Sequence, residues 1–95
     1  MAQLVIVRTL HFLPGREAAA LQWLRETEPI RQQAGQITQY VWRSLVDPGE
    51  YQFVQIWQSR DAYERWRKSP ERAHLADERT RYMTHGPTTF YELCA

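Results

Sequence analysis

Residues 36–58, QITQYVWRSLVDPGEYQFVQIWQ, read as a β-hairpin. In the first arm Ile37, Val41 and Leu45 alternate against Tyr40, Trp42 and Val46, and Tyr51 to Gln58 returns as a second strand. Between the arms, Asp47-Pro48-Gly49-Glu50 places Pro and Gly where a type I or II turn needs them. The segments on either side of this hairpin fix the rest of the architecture.

Upstream, Gln3 to Phe12 alternates with a period of two, Leu4, Ile6, Arg8 and Leu10 falling on one face and Val5, Val7, Thr9 and His11 on the other. This predicts a strand that Pro14-Gly15 ends. Arg16 to Gln33 is rich in Ala, Leu, Glu, Gln and Arg and predicts a helix. Its expected stripe is Ala18, Leu21, Leu24 and Glu28, with Trp23 and Ile30 flanking; Pro29 should kink it or start its last turn, and Ala34-Gly35 should close it.

Downstream, Ser59 is placed to cap a helix running to about Lys68, with Asp61 in its first turn. Ser69-Pro70-Glu71 repeats the start signal and predicts a further helix to about Tyr82. Met83 to Thr88, containing His85-Gly86-Pro87, reads as a loop, and Thr89 to Cys94 as a last short strand.

This order predicts an α+β fold, a ferredoxin-like βαββαβ arrangement with an antiparallel four-stranded sheet and helices on one face. Residues 1–95 form one domain, without repeat, linker or low-complexity stretch. A domain of this size buries only about 60–65% of the surface its unfolded chain exposes. Its strands carry apolar residues on both sides, so the free sheet face needs a cover that the chain itself does not supply. A homodimer through that sheet face, closing a dimeric α+β barrel, is the expected consequence.

Composition narrows the function. Twelve Lys+Arg against 11 Asp+Glu leave a formal charge of +1, and the basic residues of the helix pair alternate with acids, so no one-signed stripe for nucleic acid exists. The longest apolar run, Leu4-Val5-Ile6-Val7, is too short to cross a membrane, and no secretory signal is visible. A lone Cys94 provides neither an internal disulfide nor a multi-cysteine metal site, which fits a reduced, cytoplasmic home. Gly-rich phosphate loops, Gly-x-Ser-x-Gly, His-x-x-x-His pairs and carboxylate clusters are all missing.

Among residues that could carry chemistry, Arg8 stands out: a charge in mid-strand, on the face of Leu4, Ile6 and Leu10, needs a partner such as Glu92 or an anionic substrate group. Trp57 and Tyr63 read chiefly as packing aromatics. His11 reads as a solvated edge residue and His85 as part of a turn. His74, with Glu71 at i−3 and Glu78 at i+4, reads either as a surface histidine in helix ion pairs or as a ligand facing a cavity.

The segment Tyr51 to Tyr82, YQFVQIWQSRDAYERWRKSPERAHLADERTRY, resembles the antibiotic biosynthesis monooxygenase (ABM) family. The shared features are a strand ending in Trp57, then Ser59, Tyr63 and Trp66, and the Lys68-Ser69-Pro70 opening of the next helix. The resemblance implies a dimeric α+β barrel with a pocket between the sheet and the helices of each subunit. The nearest motifs lie in the haem-degrading branch, where Trp66 matches a tryptophan that presses on the porphyrin. That branch places its axial histidine nine or ten residues further along, where this chain has Leu75 and Ala76, with His74 one residue short. Its first-strand asparagine falls on Arg8.

Three functional expectations follow. The first is a monooxygenase acting without metal or cofactor on a small aromatic or polycyclic substrate, with Trp66 and Arg8 as catalytic residues and Tyr40, Trp42, Trp23 and Tyr63 around the substrate. The second is a haem-binding or haem-degrading protein with His74 as ligand. The third is a non-catalytic dimer that binds a small ligand or whose pocket is filled by its own side chains.

Overall fold

The computed structural model describes residues 2–95. Seven elements follow one another: β1 (Leu4–Phe12), α1 (Glu17–Ala34), β2 (Gln36–Arg43), β3 (Tyr51–Trp57), α2 (Arg60–Arg67), α3 (Pro70–Arg79) and β4 (Met83–Glu92). The strands form one antiparallel sheet in the order β2-β3-β1-β4, the expected βαββαβ arrangement with the α2–α3 pair in the second helical position.

Cross-strand register assigns each side chain to a face. Val41, Phe53, Arg8 and Thr88 stand in one row beneath the helices, beside the row Gln39, Gln55, Ile6 and Phe90. The core is centred here: Ile6 and Trp57 are fully buried and Leu10 nearly so. On the opposite face the rows are Tyr40, Val54, Val7, Thr89 and Thr38, Ile56, Val5, Tyr91.

Side-chain capping starts the two short helices. Ser59 Oγ accepts from the Ala62 amide at 3.1 Å, and Ser69 Oγ accepts from the Arg72 amide at 3.2 Å with Pro70 at the first helical position. The Gly35 amide donates to the Gln32 carbonyl at the end of α1, while the Gly35 carbonyl accepts from Gln58 N just beyond β3. Its φ of +122° lies where glycine alone is at ease, and a Cβ there would stand 2.9 Å from Ala62 Cβ.

Four expectations are corrected. β2 stops at Arg43, because Ser44 Oγ accepts from the Val46 and Asp47 amides and turns the chain, leaving Leu45 and Val46 almost wholly exposed instead of alternating in a strand. A bulge between Gln36 and Thr38 removes Ile37 from the regular alternation. On α1 the buried stripe is Ala20, Trp23, Leu24, Thr27 and Arg31, whose polar members conceal its period, and the helix continues through Pro29. Lastly, α3 ends at Arg79 and His85-Gly86-Pro87 belongs to β4: Gly86 and Pro87 oppose the single residue Thr9 in a bulge, on an edge strand that tolerates proline. No helix among the described residues is long and apolar enough to cross a membrane.

Replacing Gly35 by alanine adds both a strained φ and a contact with Ala62, so Gly35→Ala is expected to cost about 2–4 kcal/mol. Urea unfolding checks this, and a loss below about 0.5 kcal/mol would mean that the junction relaxes freely.

Candidate functional site

Between the sheet and its helices lies a cavity whose wall draws on all three helices and on β1, β3 and the start of β4. Its aromatic side comes from Trp23 of α1, Phe53 of β3, and Tyr63 and Trp66 of α2. Trp57 stands behind the α2 pair, its ring centroid 5.5 Å from that of Tyr63 in edge contact and 5.9 Å from that of Trp66. Trp57 Nε1 donates to Gln55 Oε1 at 3.1 Å, so this residue is core, as its sequence context predicts. Trp23 is fixed from two sides: its ring stacks on Tyr82, and its Nε1 donates to Glu78 Oε1 at 2.9 Å, tying α1 to α3.

Four arginines, Arg8, Arg31, Arg72 and Arg79, line the same cavity, and no Asp, Glu, His or Cys does. None of them forms an ion pair among the described residues. Arg8 Nε donates to Thr88 Oγ1 at 3.2 Å; the expected partner Glu92 lies instead opposite Leu4, at the far end of the strand. Arg31 is 5% exposed, donates through Nε to Gln39 Oε1 and through Nη2 to the Leu24 carbonyl, and lies over the Phe53 ring at 5.3 Å.

Burial without a counter-ion weakens three of these cations, Arg8, Arg31 and Arg79. Desolvation lowers the Arg31 pKa to about 10, partly opposed by Glu28 and reinforced by Arg8. The Arg8 guanidinium is also pulled down by desolvation, with Tyr63 opposing and Arg72 adding to the effect. Arg79 is lowered by desolvation first and then by repulsion from Arg8 and Arg72. A guanidinium keeps its proton at neutral pH, so the cavity carries a concentrated positive field with aromatic walls.

The structure therefore brings together Arg8, Trp66, Trp23 and Tyr63 of the residues expected from sequence. It does not bring in Tyr40 and Trp42, which stack on each other on the opposite face of the sheet and are about half exposed. Beyond the bulge, from Gln39 on, the odd-numbered positions of β2 face the helices, so Val41 occupies the inward row between them.

His74 is displaced as well. Its side chain is 72% exposed, its Nε2 lies 3.2 Å from Glu78 Oε2, and it does not line the cavity. The cavity volume is ≈ 50 Å³, about a third of the ~150 Å³ hole that admits benzene. With no imidazole directed inward, the residues of this wall offer a haem no axial histidine and do not fit it. Among the described residues no group of three His, Cys, Asp or Glu side chains is arranged to hold a metal ion.

Sequence reading missed Arg31, Arg72 and Arg79. The available signal was spacing: Arg72, Leu75, Ala76 and Arg79 follow i, i+3, i+4, i+7 and share one helix face, whereas Glu71 and Asp77 fall outside it. Counting charges along the chain hid a segregation of charge around the helix.

Residues 3–78 match the family described as antibiotic biosynthesis monooxygenase. Among solved structures, SnoaB of Streptomyces nogalater, a cofactor-independent oxygenase, superposes with a TM-score of 0.82 at 14% identity, over 100% of this chain and 96% of that one. A Bordetella bronchiseptica protein, provisionally named an antibiotic biosynthesis monooxygenase, superposes with a TM-score of 0.81 at 18% identity, over 100% and 98%. A conserved protein of Methanosarcina mazei gives 0.77 at 12% identity, over 96% and 92%. No curated protein matches the chain. Identities this low establish a shared fold.

The tie between Trp23 and Glu78 sets an acid limit on the site. The hydrogen bond from Trp23 holds the Glu78 pKa below its usual 4.5, helped by His74 and Arg81 and opposed by desolvation. A depressed carboxylate contributes stability that is present above its unfolded value and lost as pH falls through the folded one. Stability is therefore expected to fall below about pH 4.5, and less so in Glu78→Gln. Denaturant midpoints of both proteins between pH 3 and 7 check this; parallel curves would remove Glu78 from the effect.

Proposed function

Given that this chain belongs to the antibiotic biosynthesis monooxygenase family, we propose that it oxygenates a small aromatic substrate held as its anion, without a metal or organic cofactor. One observation carries this reading: a cavity with aromatic walls and four guanidinium groups, and no His, Cys, Asp or Glu in its wall. That SnoaB, of the same fold, is a cofactor-independent oxygenase supports it.

The chemistry follows from the field in the cavity. A phenol or carbon acid entering it ionises more readily, because adjacent positive charge favours the anion and the proton departs to water. The electron-rich anion passes one electron to dioxygen, and the resulting pair combines in a carbon–oxygen bond to give a peroxide anion. Protonation and loss of water then convert a CH₂ carbon and O₂ into C=O and H₂O. Arg8, in mid-sheet beside Tyr63, is the donor assigned to the oxyanion, and Trp66 and Trp23 hold the ring. No cavity residue is needed as a base, and an arginine titrating near 10 would not serve as one at neutral pH.

A small cavity also favours a second reading, in which the protein binds a compact ligand without turning it over. The discriminating experiment is oxygen uptake with 1,4-dihydroxynaphthalene as probe, measured above the protein-free rate. Uptake is expected to survive chelator and to fall about 10²-fold in Arg8→Leu. Absence of any protein-dependent uptake would leave the binding role.

The opposite sheet face bears on assembly. Val5, Val7 and Ile56 are only partly covered, and Tyr40, Trp42 and Tyr91 are about half exposed. A second copy packed on this face would bury it and close a two-sheet barrel. The expected sedimentation mass is then twice 11.4 kDa, returning to the single-chain value in Val7→Lys, which sets a charge in the middle of the patch. A wild-type monomer at micromolar concentration would remove the dimer.

A further inference from the structure

Resting on the oxygenase reading, a count of charges takes the substrate class further. One ring oxyanion balances one of the four cavity cations. Two of them already have protein acceptors: Arg31 is held by Gln39 and the Leu24 carbonyl, and Arg8 by Thr88. Arg72 and Arg79 differ. Among the described residues their guanidinium groups have no carboxylate within ion-pair distance, although both side chains are half-buried in the cavity wall. Partly buried cations without a counter-charge are costly unless an anion from outside completes them.

These two arginines are also the adjustable part of the wall. They lie two turns apart on one face of α3, on long flexible stems, whereas Trp23 and Trp66 are buried and packed. The other acids of α3 do not neutralise them: Glu78 is engaged by Trp23 and His74, and Glu71 and Asp77 are exposed.

We propose that the substrate is an aromatic acid, whose carboxylate is bound by Arg72 and Arg79 while its ring oxygen faces Arg8. The carboxylate brings a permanent charge to the two cations that have no carboxylate partner among the described residues, and so orients the ring against Trp66 and Trp23. Binding swings the two arginine stems outward, enlarging a cavity too small for the ring in its present form.

The test compares 1,4-dihydroxy-2-naphthoate with 1,4-dihydroxynaphthalene, which differ only in the carboxylate. Affinities are measured calorimetrically under argon, and oxygen uptake is measured in air above the protein-free rate. The wild type is expected to bind the carboxylated probe at least about tenfold more tightly, with the advantage shrinking as salt is raised. In the double variant Arg72→Gln/Arg79→Gln, confirmed as folded by circular dichroism, the two affinities should come within about threefold. Arg72→Lys/Arg79→Lys, which keeps the charge, should retain part of the preference and serves if the glutamine variant unfolds.

Equal affinities in the wild type, no binding of either probe, or a preference that persists unchanged in the glutamine variant would overturn the proposal. Uptake with both probes at equal affinity would sustain oxygenation and defeat the carboxylate site. Preferential binding of the acid without uptake would do the reverse.

Discussion

Two guanidinium groups beneath the helices, Arg8 from mid-β1 and Arg31 from the last turn of α1, carry their charge into the interior without a carboxylate to meet it. Much of the site is arranged around that constraint. The Leu24 carbonyl, which would bond only within α1, also accepts from Arg31 and Gln39; Gln39 in turn accepts from Gln36. Phe53 offers its ring face to Arg31, and Thr88 its hydroxyl to Arg8. These neutral acceptors satisfy the donors and leave the charge in place. A fold with a carboxylate beside Arg8 would be easier to stabilise and would have no field to offer an anion.

The aromatic residues make that field usable. Trp57 is buried completely at the end of β3 and supports Tyr63 and Trp66 from behind, so the two α2 residues present fixed surfaces to the cavity. Gly35 allows this packing, since the close approach of α1's end to Ala62 leaves no room for a side chain. Partial burial among aromatic walls lowers the local dielectric around the guanidinium groups, and charge acts more strongly there than at a surface. Chemistry between an organic anion and dioxygen asks for little more than this combination of position and electrostatics.

The two faces of the sheet divide the labour. Beneath the helices, polar and charged side chains stand among the apolar core; on the opposite face Val5, Val7, Val54, Ile56 and the Tyr40–Trp42 pair make an uncharged, largely apolar surface edged by Thr38, Thr89 and Gln52. Alternation with a period of two enforces the separation, and bulges at Ile37 and opposite Thr9 are where it is locally broken.

The order of elements was legible in the residues themselves, because period-two runs, Ser caps, Pro70 and the Asp47-Pro48-Gly49 turn are local signals that tertiary context did not override. So was the inward direction of Arg8, which shares its parity with Leu4, Ile6 and Leu10, and the core role of Trp57. What lay beyond the sequence was whatever depends on a neighbour distant in the chain. Tyr40 and Trp42 face away from the cavity because β2 pairs with β3 in a register that turns Val41 inward. His74 misses the site because α3 packs through Leu75, and that choice turns Arg72 and Arg79 inward and the histidine to solvent. A sequence records charges in a line, and only packing decides which of them share a cavity and which of them water can reach.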